Sequence, residues 1–140
     1  MLEIHDWPEA IHGDEQLLFL YSDQYAAGRA TKHENERRAM ERICEKLGEE
    51  GKKIFALWMR YGQADDPAAS LARQIDKYQS VEKAFEYAKD RNESLLFREF
   101  DYYEWKREES DKNKITHPTL LALLKKLDDE FWKWQDEKRV

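Results

Sequence analysis

Apolar residues recur along this chain at helical spacing, and no stretch carries a convincing two-residue strand period. Between Lys32 and Leu47, the residues Met40, Ile43, Cys44 and Leu47 stand at i, i+3, i+4 and i+7, which predicts a helix with one buried face. Thr31 is its expected N-cap, Glu34 completes a capping box, and Gly48 is the expected stop. Glu49 to Tyr61 repeats the pattern through Ile54, Leu57, Trp58 and Tyr61, with Gly62 as its stop. Asp65-Asp66-Pro67 suits a third helix start, because acids favour the positive end of the helix dipole and proline fits the first turn. That helix is expected from about Ala68 to Asp90, burying Leu71, Ile75, Tyr78, Val81, Phe85 and Ala88. Pro118 opens a last helix whose stripe, Leu120, Leu124, Leu127, Phe131 and Trp134, either closes the core or pairs with a second subunit.

The remaining segments are less regular. Residues 1 to 12 read as the last turns of a helix. Residues 15 to 31 read as a loop with room for one helical turn: either a lid over a nearby site or a plain surface connection packed by Phe19 and Leu20. Aromatics crowd Ser94 to Glu109 with an imperfect helical period, and Ser110 to His117 reads as a loop. With no internal repeat or low-complexity tract, the expectation is an all-α bundle of about five to six helices forming one domain over residues 1–140. Its motif-bearing part is 1–90 and its aromatic-rich part 91–140.

Composition narrows the function classes. Of 140 residues, 39% are charged and 41% hydrophobic, as suits a heavily charged soluble domain. No apolar run approaches the roughly 18 residues of a membrane span, and no basic region precedes an apolar stretch as in a secretory signal. The lone Cys44 excludes an internal disulfide and points to a reducing cytoplasm; it reads as a small buried apolar group rather than a nucleophile. A net charge of −6 argues against nucleic acid as a partner, since polyanion binding draws on clustered Lys and Arg. A small anionic substrate stays open, because a bound cation reverses the local sign of the field.

The chemistry concentrates at the start. His5 and Asp6 together offer a ring nitrogen and a hard oxygen to one divalent cation. Three residues on, Glu9 shares a helical face and could move a proton of the attacking water. Gly13 lets the chain turn, and Asp14 sits where it emerges. The alternative makes Asp6 a helix cap and His5 a half-buried core residue. Two ligands are too few for a coordination sphere, so the metal reading demands another elsewhere. Asp76 is a carboxylate beside a buried stripe, costly there unless paired or metal-bound, although alone it reads as a surface residue. His12 could share the face of His5 or lie exposed near a helix end; His33 reads as solvated and His117 as a cap-region residue.

These residues resemble the HD-domain family of metal-dependent phosphohydrolases, and within it the 5'-deoxynucleotidase group. His5, Asp6, Glu9, Gly13 and Asp14 stand as in that group's H-D-x-x-E-x-x-x-G-D motif. Glu36, Ala39 and Met40 resemble its E-x-x-A-M helix, Leu57-Trp58 its L-W helix and Ile75-Asp76-Lys77 its closing D-K segment. Order and approximate spacing agree from residue 2 to about residue 90, and the tail matches loosely. The resemblance implies an all-helical HD-domain-like bundle and a divalent metal held by His5, Asp6 and Asp76, its identity open among Co, Mn, Mg, Ni, Zn and Fe. It further implies Glu9 as the acid/base residue, Asp14 near the sugar or the water, and hydrolysis of a (deoxy)nucleoside 5'-monophosphate.

One departure is expected to matter. Family members carry a further metal-binding His on an earlier helix, often with a phosphate-contacting Arg, and here the chain starts at the His-Asp pair. The expectation is therefore a chain truncated at its N-terminus relative to the family, or one that borrows a ligand from His12, His33 or a partner chain. The alternative function is a non-catalytic helical interaction module or fragment derived from the enzyme fold, forming a homo-oligomer through the C-terminal helix.

Overall fold

The structure, a computed structural model, describes residues 1–13, 22–94 and 114–138. Five helices cover most of them: α1 (Glu9–His12), α2 (Ser22–Glu45), α3 (Gly48–Gln63), α4 (Pro67–Asp90) and α5 (Pro118–Lys138). No strand occurs among the described residues, and the protein is all-α. The chain divides into two compact units, Met1–Gln63 and Ala64–Val140.

In the first unit, α2 and α3 pack on each other around Met40, Cys44 and Trp58, with Ile4, Trp7, Ile54, Phe55 and Met59 closing over them. Helix α2 is already present at Ser22, ten residues before the start its apolar stripe announces. Ala26, Ala27 and Ala30 favour the helix there despite the roughly 1 kcal/mol that Gly28 costs. Thr31 is consequently inside the helix and not its cap, and residues 22 to 31 are helical rather than a lid or surface loop. The rest of that segment, 15 to 21, lies outside the described residues.

The stripes are met with two exceptions. Leu47 is 44% exposed because α2 has already ended, and Leu57 is 39% exposed because it lies about 100° around α3 from Trp58. Phe55 and Met59 pack in its place. Gly48 takes the left-handed conformation (φ 59°) between the two helices, as a helix stop requires. Gly62, in contrast, stays within α3. That helix ends instead at Ala64 (φ 51°), ahead of Asp66, which the following proline holds extended (φ −122°, ψ 158°).

The second unit is built as its pattern predicts. The Asp66 carboxylate accepts from the Ala68 and Ala69 N–H groups (3.0 and 3.1 Å) and Pro67 occupies the first turn of α4. Helices α4 and α5 then bury Val81, Ala84, Phe85, Ala88, Leu120, Leu124 and Phe131 together with Ile115, flanked by Leu71, Ile75, Tyr78, Leu127 and Trp134. The α5 stripe is thus spent on closing this core. The buried Gln74 joins the unit's two parts: its Oε1 accepts from the N–H groups of Thr116 and His117, both at 2.8 Å. His117, whose carbonyl accepts from Leu121 N–H, is the cap-region residue expected before Pro118.

Candidate functional site

Residues 2–8 form a run of tight turns that leads into α1. Backbone bonds reach back three residues along it, from Ile4 to Met1, Trp7 to Ile4, Glu9 to Asp6, Ala10 to Trp7 and Ile11 to Pro8. Gly13 closes α1 with φ 75°, its N–H donating to the Glu9 carbonyl at 2.7 Å, so the expected turn is present. The N-cap position of α1 is Pro8, with no side-chain capping bond, so Asp6 is not the helix cap of the plainer reading.

His5 and Asp6 meet directly. Nε2 of His5 lies 3.1 Å from Oδ2 of Asp6. The His5 Nδ1 bonds the Leu2 carbonyl. A carbonyl only accepts, so Nδ1 carries a proton, and Nε2 faces the Asp6 carboxylate, to which an imidazolium would donate and a neutral ring would present a lone pair. In the neutral ring two lone-pair donors face each other, an arrangement that a cation between them relieves. Donors about 2.1 Å from one ion at right angles stand about 3 Å apart, which the pair matches. A backbone carbonyl holding the other ring nitrogen is the usual support of a metal-ligating His. The imidazole is mostly buried and the carboxylate 63% exposed, so one donor is fixed and the other accessible.

Glu9 stands in the first turn of α1, half-buried, with its N–H on the Asp6 carbonyl (3.0 Å). Asp14 lies outside the described residues. Asp76 belongs to the second unit, on α4, where its carboxylate is 18% exposed and meets Lys77 Nζ at 3.1 Å. Among the described residues, no group of three or more His, Cys, Asp or Glu is placed to hold a metal ion. The donors legible in the first unit, one nitrogen and one oxygen, suit a hard or borderline divalent cation and leave further positions to be filled.

Two residues around His5 escaped the sequence reading of the site. Trp58 donates its Nε1–H to the His5 carbonyl (3.2 Å), and Tyr61 sets its ring 5.2 Å from the imidazole. Both sit on the inner face of α3, where periodicity announced only core. His33 is exposed, as expected of a solvated residue, but its ring also stacks on Trp58 at 6.0 Å and 15°. Cys44 is buried, and burial pushes its thiol pKa up, which is the inert state expected of it. The concavity lined by Cys44, Glu45, Gly48 and Phe55 holds none of these site residues.

The chain matches the HD domain family over residues 1–119. It is similar to 5'-deoxynucleotidase HDDC2 of Danio rerio, with 30% identity over 91% of the chain and 58% of that protein. The same-named protein of Dictyostelium discoideum is 30% identical over 93% of the chain and 64% of its own length. For Bos taurus the figures are 27%, 91% and 56%. The chain spans about three-fifths of the length of these curated relatives.

Proposed function

The chain belongs to the HD domain family, and from that premise we propose that it is a metal-dependent phosphohydrolase acting on (deoxy)nucleoside 5'-monophosphates. The observation that carries the reading is the His5–Asp6 pair, two electron-pair donors held 3.1 Å apart with the imidazole tautomer set by Leu2. The names of the relatives, 5'-deoxynucleotidases, support the substrate class.

In this reading His5, Asp6 and Asp76 hold a divalent ion. When bound, such an ion lowers the pKa of a coordinated water and offsets phosphate charge. Glu9, one turn beyond Asp6, takes the proton of the attacking water and returns it to the leaving sugar oxygen. Asp14 positions the water or the sugar hydroxyl. His5 contributes rigidity, since its ring is clasped by Leu2 and Tyr61. Asp6 contributes an accessible carboxylate at the mouth of the site.

The proposal includes a cytoplasmic protein, consistent with a free thiol at Cys44. Among the described residues no helix is long and apolar enough to cross a membrane. A homo-oligomer through α5 belongs to the second reading, a helical interaction module, which Trp132 favours by standing 51% exposed on that helix.

The deciding experiment is elemental analysis of the purified 140-residue chain beside Asp6→Ala, followed by phosphate release from deoxynucleoside 5'-monophosphates. Near-stoichiometric metal in the native chain alone, with phosphate release, supports the enzyme. Metal-free native protein that forms a stable oligomer supports the interaction module instead.

A further inference from the structure

The turns of residues 2–8 contain one gap with a chemical cause. Three-residue backbone bonds run from Ile4, Trp7, Glu9, Ala10 and Ile11, but the donor that would reach the His5 carbonyl in this pattern is residue 8, and Pro8 has no N–H. Pro8 is itself fully buried beside the half-buried His5. The Trp58 indole fills the gap: its Nε1–H donates to the His5 carbonyl from 53 residues away. The indole is itself held, 5% exposed in the core with Met40 and Cys44 and stacked beneath the His33 ring. One helical turn along the same face, Tyr61 packs against the imidazole.

We infer that Trp58 is a positioning residue for His5, supplying across the fold the hydrogen bond that Pro8 withholds locally. The His5 carbonyl is part of the peptide that leads into Asp6. Fixing it fixes the turn from Leu2 to His5, and with it the Nδ1–H bond to Leu2 and the placement of Asp6 Oδ2 beside Nε2. Without the indole N–H, the half-buried carbonyl loses this hydrogen bond and the turn loses the bond that ties it to α3. The assignment rests on the metal reading for its consequence, but the hydrogen bond and the tautomer stand apart from it.

The test uses the full chain, ¹⁵N-labelled and free of metal, with Trp58→Phe, Pro8→Ala and the double variant. At about pH 8, above the ordinary imidazole range, the ring nitrogen shifts of His5 should report the Nδ1–H tautomer in the native chain and a mixture in Trp58→Phe. Titration with Mn²⁺ should show Trp58→Phe binding about 10- to 100-fold more weakly, the usual cost of losing an outer-shell partner. Pro8→Ala restores a local N–H, so Trp58→Phe should cost much less in that background. A Met40→Ala control, which disturbs the same core without touching His5, should leave the tautomer intact. Unchanged tautomer and affinity in Trp58→Phe, an equal loss in both backgrounds, or the same effect from Met40→Ala would overturn the assignment. Should Trp58→Phe not fold, solvent exchange of the native indole N–H decides: slow exchange, faster in Pro8→Ala, upholds it, and fast exchange in the native chain overturns it. A native chain that binds no Mn²⁺ sinks the phosphohydrolase reading, while the tautomer and exchange results still judge Trp58.

Discussion

The backbone carbonyl oxygen of Cys44 occupies the space next to Gly51, so that a Cβ placed on Gly51 would overlap it. Helices α2 and α3 therefore approach each other where only glycine fits, and the oxygen in the way is backbone that cannot swing aside. Gly51→Ala in an exposed helix interior would stabilise by about 1 kcal/mol. Here the overlap reverses the sign, and a loss of about 3 kcal/mol is expected from overpacking, measured by urea denaturation. A stabilised Gly51→Ala would mean that the helices do not meet in this way.

Glu9→Gln keeps the size and removes the base. On the proposed mechanism metal content stays as in the native chain, while turnover falls by about 10²- to 10⁴-fold. Parallel elemental analysis and phosphate-release assays separate the two, and a variant that keeps full turnover removes Glu9 from the chemistry.

Asp76→Ala tests the third proposed ligand. Loss of a direct ligand should weaken metal binding beyond the roughly 100-fold cost of an outer-shell change and abolish activity. Retention of native metal affinity would sink the assignment of Asp76.

Gln74→Leu should destabilise the protein, because the N–H groups of Thr116 and His117 both lose their acceptor. Both donors stand on exposed residues that water can reach, so each lost bond costs about 0.5–1.5 kcal/mol, together enough to read in a thermal melt. Metal content, in contrast, should be unchanged.

Acid should act on α2 through Glu34. Hydrogen bonds from Arg37, and then from Arg38, hold its pKa down at about 2. A carboxylate whose folded pKa lies below its unfolded one contributes stability that is present above the ordinary carboxylate range. That contribution is lost as pH falls from about 4.5 toward 2. Glu34→Gln should accordingly be less acid-sensitive than the native chain in that window. The difference should shrink at high salt, because the cluster is solvent-screened. Identical acid limbs for the two proteins would remove Glu34 from the account.

Several features were legible because they are local. Asp66-Pro67 announces the start of α4 through residue types that act within one turn, and the structure has the capping bonds to match. The stripe from Leu71 to Ala88 appears as packed side chains because the helical period alone assigns a face. The H-D-x-x-E pattern marks candidate ligands at the start of the chain, and its first two members do meet. Elsewhere local signals competed and lost. Thr31 and Glu34 look like a capping box, yet the alanines before them carry α2 through that point. Gly62 looks like a stop, yet the boundary belongs to Ala64 and the extended Asp66.

The sequence by itself determined most of the helices, their apolar faces, the family resemblance and the residue types proposed to carry the chemistry. These follow from the 3.6-residue period and from side-chain chemistry that acts over a few neighbouring positions. The tertiary structure alone decided that Trp58 would supply the donor Pro8 lacks, that Cys44 would close on Gly51, and that Gln74 would hold Thr116. Each of those pairings depends on where packed helices bring distant backbone together, and periodicity names a face without naming what it will touch.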